Sequence, residues 1–251
     1  MGNADLGFLV PLFTLAATQH HGQFIGDVAE THPQSSLGRD DALLDGYWAT
    51  TLIRASITAG VDQLWSLRTV VESGSVGNHG LWATMRAALE NFSSAACLVA
   101  TPNRADRLAL TLSMWDYDYR ERRKWERDHG SDQGVKAVET KLGRIAERAD
   151  RLDVRLSSAS VGYGELVYNA AALAGHQEPS VARAHWRVAS GFAHGRLWPA
   201  LHLSTPESAR PIVGGLATAF TLDESKFQEI AEVTGLIGQL AIDRFNQRRQ
   251  P

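Results

Sequence analysis

Hydrophobic residues recur at intervals of three and four along most of the chain, the spacing that aligns side chains on one face of an α-helix. The clearest segment is 135–156, where charged residues fill the positions between the apolar ones. The preceding segment, 105–130, carries a similar stripe that becomes polar towards its end. Only a few residues separate the two, so they are predicted to form an antiparallel helical hairpin. The stripe of the second helix consists of Val135, Val138, Leu142, Ile145, Ala149 and Leu152.

Two earlier segments show the same periodicity. Residues 42–73 are predicted to form one long helix, with Asp40 or Asp41 as its N-terminal cap. Leu81–Ala100 is almost free of charge and has apolar or small residues on all sides, which predicts the central helix of a bundle.

The chain ends are less regular. A weak helical pattern runs from Pro11 to about Glu30, and 32–41 is predicted to be a loop. The segment 209–223 is too short and too rich in glycine for a helix, so an extended excursion or a small hairpin is expected. Thr221 and Glu224 have the spacing of a capping box and would open a final helix.

These patterns predict an all-α fold, a helical bundle with short irregular or extended excursions. We divide the chain into an N-terminal helix and loop appendage, residues 1–40, and a bundle domain, residues 41–251. With 251 residues, 44% of them hydrophobic, the chain is long enough to bury a full core.

Composition narrows the class of protein. The single cysteine, Cys97, excludes an intrachain disulfide and favours a reducing compartment.

The N-terminal apolar stretch has no positively charged leader and follows Asp5, so we interpret it as a helix and not as a signal peptide. No apolar run reaches the roughly 20 residues of a membrane span. A cytoplasmic protein is expected, and the excess of arginine over lysine suggests a bacterial source. The net charge of −3 argues against a strongly basic nucleic-acid coat.

Metal chemistry is considered because the chain has nine histidines. Glu126 and His129 have the Glu-x-x-His spacing of carboxylate di-metal bundles, but such sites need two copies and there is one. A cationic His129 near a helix C-terminus explains the pair more simply. We therefore expect no metal and no cofactor, and the motifs of zinc proteases, phosphate loops and serine hydrolases are absent.

The main candidate site lies in the segment from Ser180 to Leu201, predicted as a helix ended by Pro199. Arg187 and Ser190 would lie within about 60° of each other, and His194 would return to the same line two turns later. Arg183 extends this polar face, while the opposite face is apolar. We predict Arg187, Ser190 and His194 as catalytic residues and Arg183 as a substrate-binding residue.

A second group of candidates lies on the preceding helices. Arg86 and Glu90 are four residues apart and can pair along the central helix, either as a structural pair or as part of a binding site. Trp82 lies close to the same line, and Trp115 follows on the next helix. Together with Arg183, these four are the predicted substrate-binding residues.

The spacing of Arg187 and His194 on a late helix of an all-helical bundle resembles the Arg-x4-6-His motif of HEPN domains, many of which are ribonucleases. The resemblance implies RNA cleavage without metal at a homodimer interface. In that chemistry His194 would take a proton from a ribose 2′-hydroxyl while Arg187 stabilises the phosphate. The two residues are about 10 Å apart along one helix, so a two-fold axis would help them converge.

The chain is also similar to uncharacterised bacterial helical proteins that carry Arg-x-x-x-Glu on one helix and Ser-x-x-x-His-Gly on a later one. The matching positions here are Arg86 with Glu90, and Ser190 with His194 and Gly195.

A structural interpretation of the same residues stays open. Active HEPN proteins often have a polar residue after the arginine, where this chain has Val188. In this interpretation Ser190 and His194 form hydrogen bonds within the bundle, and Arg187 pairs with a carboxylate such as Glu90. The chain would then be a non-catalytic interaction or small-molecule-binding module, with the seam 135–152 serving assembly, or a regulatory partner of another protein. Solvent access at His194 separates the alternatives.

Overall fold

The computed structural model describes residues 6–20, 30–74, 77–203 and 205–251. Within these ranges the chain forms ten α-helices, two short 3-10 turns and one β-hairpin, which confirms the all-α bundle with an extended excursion. No helix within the same ranges is long and apolar enough to cross a bilayer. The elements are α1 (Val10–His20), α2 (Ser36–Leu44), α3 (Ala49–Glu72), α4 (Asn78–Ala100), α5 (Arg104–His129), α6 (Asp132–Arg151), α7 (Tyr163–Leu173), α8 (Pro179–Ala193), α9 (Leu197–Leu203), β1 (Thr205–Ile212), β2 (Gly215–Thr221) and α10 (Glu224–Arg248).

Helix α4 is the centre of the bundle, as its uncharged sequence predicted. It packs against α3, α7, α8 and α10, and most of its side chains are buried. The ring of Phe92 lies where α3 and α10 each place a glycine: a β-carbon at Gly60 would come 2.8 Å from the ring, and one at Gly238 would come 3.2 Å from it. The small residues therefore let three helices approach around one aromatic side chain.

Helix α1 packs against α3 and α10, and its side chains Leu12 and Ala16 join the core. Its described residues, Val10–His20, match the first part of the helix predicted from Pro11 to about Glu30. The rest of that prediction lies on residues 21–29, outside the described ranges.

The prediction of one helix from residue 42 onward is wrong. Most of α2 lies in the segment 32–41 that was predicted as a loop. Its cap is Ser35, whose Oγ accepts the N–H of Gly38 at 2.9 Å. The chain then turns at Asp45 and Gly46, which have positive φ angles of 46° and 95°, and α3 begins only at Ala49. A local cap and a left-handed turn therefore divide the apolar stripe into two helices.

Asp40 does not cap α3, whereas Asp41 caps it from outside the N-cap position: Trp48 occupies that position, and the Asp41 carboxylate accepts a backbone N–H of the first turn. Asp40 is buried and accepts hydrogen bonds from Nε of Arg104 at 2.8 Å and Nε of Arg107 at 3.0 Å, which joins α2 to α5. Asp41 accepts the backbone N–H and the hydroxyl of Thr50. Burial raises the pKa of the Asp41 carboxyl. Both carboxylates connect elements that the sequence pattern treats separately.

Helices α5 and α6 form the predicted antiparallel hairpin, with the turn at Gly130 and Ser131. The side chains of Val138, Ile145 and Ala149 are buried. Other residues of the same chain cover these three side chains, so they offer no exposed apolar surface for assembly.

The helix predicted from Ser180 to Pro199 is also shorter than expected. Helix α8 ends at Ala193, and His194 is its C-cap. Gly195, with φ of 63°, donates to the carbonyl of Phe192, and Arg196 donates to the carbonyl of Gly191. This is the Schellman arrangement that ends many helices.

After α9, β1 and β2 pair antiparallel around the turn at Val213 and Gly214, which confirms the hairpin among the two structures expected for this segment. The predicted capping box of the last helix is wrong. The cap of α10 is Asp223, whose carboxylate accepts the N–H of Lys226 at 3.0 Å. One stripe of α10 faces the core, and its side chains are buried: Phe227, Ile230, Thr234, Ile237, Ala241 and Phe245.

Candidate functional site

The end of α8 meets α4 at a chain of three polar side chains. Nε2 of His194 lies 3.3 Å from Nη1 of Arg86, and Nε of Arg86 donates to Oε1 of Glu90 at 2.6 Å. A guanidinium has no acceptor, so in this contact the histidine nitrogen accepts and Arg86 donates. His194 is exposed to solvent. We call Arg86, Glu90 and His194, with Trp186, the α4–α8 cluster.

Trp186 contributes a second donor to the same carboxylate. Its indole Nε1 lies 2.7 Å from Oε1 of Glu90, whose side chain is 11% exposed. Gly164 at the start of α7 leaves room for the indole, since a β-carbon there would lie 2.9 Å from Cζ3. Oε1 of Glu90 therefore accepts from both Arg86 and Trp186, which restricts the orientation of the guanidinium next to His194.

Tyr163 also lies near this cluster. Burial raises the pKa of the Tyr163 hydroxyl, and the negative charge of Glu90 raises it further while Arg86 lowers it. The charges of both members of the ion pair therefore act on this phenol, which lies at the start of α7.

The sequence patterns did not predict Trp186 or Tyr163 as residues of the candidate site. Trp186 was assigned to the apolar face of its helix, yet Trp186, Ser190 and His194 are spaced four residues apart. At about 40° per step they follow one another along the side that faces α4. That four-residue spacing is the sequence feature from which the position of Trp186 in the site could have been predicted. Tyr163 gives no such signal, because it joins the cluster only through the packing of α7.

The other predicted catalytic residues flank the cluster. Arg187 is exposed and forms no hydrogen bond or ion pair with any residue in the described ranges. Ser190 is half-buried, and its backbone carbonyl accepts the N–H of His194 at 3.1 Å. The expected alternative pairing of Arg187 with Glu90 is wrong, because Glu90 pairs with Arg86.

Arg183 lies further along α8 and contacts α7. Its Nη1 is 3.5 Å from Oε2 of Glu165, and its guanidinium lies over the ring of Tyr168 at 4.9 Å from the centroid. Both contacts are partly exposed, so they hold Arg183 only loosely.

The two predicted tryptophans lie elsewhere. Trp82 is 1% exposed and stacks on Phe192 with ring centroids 5.0 Å apart, so it belongs to the core. Trp115 packs against Tyr47 and Tyr119 on a different part of the bundle. The structure thus brings together Arg86, Glu90 and His194 but not these indoles.

Exposed apolar side chains follow the cluster along the chain. Leu197, Trp198 and Leu201 of α9 are exposed. Pro199 and Trp198 pack tightly over Gly191 of α8, where a β-carbon would lie 2.5 Å from Cγ of Pro199. Helix α9 is therefore held against α8 and presents its outer apolar side chains to solvent.

The two residues of the Glu-x-x-His pair of α5 contact neighbouring side chains of their own helix. Glu126 is buried and accepts from Arg122 at 3.3 Å, while His129 is exposed and stacks on Trp125. In the part of the chain that the structure describes, no group of three or more His, Cys, Asp and Glu side chains is placed to hold a metal ion.

Comparison of the chain with protein-family models, curated proteins and solved structures finds no match. The case for a function therefore depends on the geometry of the α4–α8 cluster.

Proposed function

We propose that the chain is a HEPN-like protein that binds or cleaves RNA, without a metal, at the surface formed by Arg187, Ser190 and His194. The observation that carries the proposal is the solvent-exposed contact between His194 and Arg86, at 3.3 Å. A base and a fixed cation in direct contact are what phosphodiester cleavage by a 2′-hydroxyl requires. Sealing of His194 in the core would have argued against the proposal, and its exposure supports it.

The proposed reaction starts when RNA binds. A phosphate oxygen accepts the N–H of Arg86 that now points to His194, and this frees the lone pair on Nε2. His194 takes the proton of the ribose 2′-hydroxyl, and the 2′-oxygen attacks the adjacent phosphorus. The bond from phosphorus to the 5′-oxygen breaks, the departing oxygen takes a proton from water, and the protonated His194 returns its proton to the solvent. The products are a 2′,3′-cyclic phosphate and a 5′-hydroxyl.

Arg187 has the properties of a second phosphate ligand in this scheme. It is exposed and has no carboxylate partner among the described residues, so its charge is free to meet an anion. We propose further that two copies pair across the ends of α8, so that Arg187 of one copy approaches His194 of the other. Light scattering would give the mass of a dimer, and a monomer that cleaves RNA would remove the need for pairing.

The test is cleavage of a mixed RNA pool by the purified protein with a chelator present. Wild type should cleave and release cyclic phosphate ends, while His194→Ala should lose the activity. The matched control is His129→Ala, which removes an exposed histidine from the far end of α5. A pool with 2′-O-methyl groups should resist cleavage. Activity that survives in His194→Ala, or no cleavage and no RNA binding by folded wild type, would refute the proposal.

A second candidate is a non-catalytic interaction module, favoured by the exposed Leu197, Trp198 and Leu201 next to the cluster. Exposed apolar side chains in one short helix are typical of a protein-binding surface. The double variant Leu197→Ser/Leu201→Ser would separate the two functions. Loss of self-association or partner binding with unchanged RNA cleavage would assign α9 to interaction, and loss of cleavage as well would join it to the catalytic surface.

We also propose a cytoplasmic location. The one thiol, Cys97, is buried, and burial raises its pKa to about 12, so it stays a neutral thiol. Its Sγ donates to the carbonyl of Leu166 at 3.3 Å. A packed, unreactive cysteine is usual in reducing compartments. Cell fractionation with an antibody to the protein would test this.

A further inference from the structure

A second surface, on the opposite end of the helical hairpin from the α5–α6 turn, combines positive charge with aromatic side chains. There the C-terminal half of α6 and the turn between α2 and α3 enclose a groove of about 440 Å³. This volume is in the range of small-ligand sites. We call it the α6 groove, and its walls include Tyr47, Tyr119, Lys141, Arg144, Arg148 and Arg151.

The four cations follow one face of α6. Their spacing of three, four and three residues keeps them within an arc of about 80°, and the stripe is about 15 Å long. Asp45 and Glu147 also line the groove. Four positive charges and two negative charges leave a net charge of +2, in a chain whose formal net charge is −3. The groove is therefore a local positive site on an acidic protein.

One of the cations builds the wall of the groove. Arg148 pairs with Asp45 and donates to the carbonyl of Leu43 at 3.2 Å, which ties α6 to the α2–α3 turn. Its Nε is buried and has no hydrogen-bond partner in the described part of the chain. The Tyr47 hydroxyl donates to the carbonyl of Lys141 at 3.2 Å and fixes the same two elements from inside.

Two of the other three cations are available to a ligand, while the third, Arg151, donates from Nε to the carbonyl of Glu147 at 3.4 Å. Lys141 and Arg144 are exposed and form no ion pair or side-chain hydrogen bond with any residue in the described ranges. Both lie next to the fixed wall of Arg148 and Tyr47. Free cations beside a preformed wall lower the entropic cost of binding an anion, because only two side chains need to be ordered.

We propose that the α6 groove binds a phosphoryl group, with Lys141 and Arg144 as its ligands and Arg148 and Tyr47 as its rigid wall. Guanidinium groups match the geometry of phosphate oxygens, and the ammonium group adds a compact charge. The phosphoryl group belongs either to a small phosphorylated molecule or to the backbone of an RNA strand. The proposal stands on different elements from the α4–α8 cluster and is independent of catalysis by His194.

The test measures binding of two probes. Calorimetry follows inorganic pyrophosphate, and fluorescence anisotropy follows a labelled single-stranded 2′-O-methyl RNA, which cannot be cleaved. The groove variant is Lys141→Ala/Arg144→Ala. The matched control is Lys136→Ala/Arg155→Ala, which removes two exposed cations outside the groove. We expect the groove variant to lose about ten-fold or more in affinity and the control to stay close to wild type.

The outcomes separate the sources of the phosphoryl group. Pyrophosphate binding that depends on the groove identifies a small phosphorylated ligand. RNA binding that depends on the groove, without pyrophosphate binding, identifies a strand backbone. The groove and the α4–α8 cluster lie on different elements, so failure of the catalytic proposal leaves the comparison of the groove variant with its control unchanged. Absence of binding to both probes, or equal losses in the control variant, overturns the proposal.

Discussion

The indole N–H of Trp186 and the Nε–H of Arg86 donate to the same oxygen of Glu90, at 2.7 and 2.6 Å. The first contact joins α8 to α4 across 96 positions of the chain, while the second lies within α4. Removal of the carboxylate would leave the indole N–H without an acceptor and the guanidinium without its counter-charge. The polar cluster therefore has a structural effect that can be measured separately from activity.

We predict that Glu90→Ala lowers the free energy of unfolding by about 1–3 kcal/mol, because it leaves a donor unsatisfied in a largely buried position. Urea denaturation followed by circular dichroism measures this. The matched control is Glu72→Ala, which breaks an exposed pair with Arg68 at the same i,i+4 spacing. The control should cost about 0.5 kcal/mol or less. Equal losses in the two variants would show that Glu90 has no special structural role.

A second prediction concerns activity. Arg86→Ala should lower the rate of RNA cleavage by about 100-fold, as expected when one charge-stabilising donor is removed from a catalytic site. Arg86→Lys keeps the charge but loses the forked geometry, so its rate should lie between wild type and Arg86→Ala. Single-turnover cleavage assays measure the chemical step. Arg68→Ala, an exposed arginine on α3, is the control, and a rate in Arg86→Ala equal to that control would exclude Arg86 from the site.

The regular helices were predictable because each has a clear pattern of apolar residues. The stripes of α6 and α10 alternate three- and four-residue spacings, and α4 is apolar on all sides. The boundaries were less predictable, since they depend on single residues. Ser35 begins a helix in a segment rich in turn formers, and Gly195 ends α8 four residues before the proline that was expected to end it.

Several residues of the candidate site could be predicted individually, but the contacts between them could not. Arg86, Glu90 and His194 each stood out by spacing within a helix, yet the contact between Arg86 and His194 spans 108 positions and depends on the packing of α8 on α4. Trp186 was misassigned because an indole is both apolar and a hydrogen-bond donor, and only the fold decides which property is used.

The close approach of α3 to α4 leads to a third prediction. A β-carbon at Gly60 would lie 2.8 Å from the ring of Phe92, so Gly60→Ala should destabilise the protein by about 1–3 kcal/mol through overpacking. Gly143 is the matched control because it lies within α6 with no neighbour inside 4 Å. Gly143→Ala should stabilise the fold by about 0.5–1 kcal/mol through helix propensity. Denaturant midpoints measure both, and a stabilising Gly60→Ala would contradict the packing of α3 on α4.

The last prediction concerns pH and a histidine away from the α4–α8 cluster. His185 on α8 has a side chain that is 12% exposed, with Nε2 3.3 Å from Oε2 of Glu229 on α10. Burial lowers its pKa below the ordinary value of 6.5, with Lys226 and His176 acting in the same direction, while Glu229 opposes them. Glu232 also lines this side of the bundle.

Because its pKa is lower in the folded state, His185 binds fewer protons there than in the unfolded chain over the interval below about pH 7. The contribution of His185 to stability is therefore complete above its unfolded pKa and declines as pH falls towards its folded pKa. We expect the free energy of unfolding to fall from pH 7.5 to 5.5 by more in wild type than in His185→Gln, which cannot be protonated there. Urea denaturation at both pH values measures the difference. A variant that loses as much stability as wild type over this interval would show that another group causes the decline.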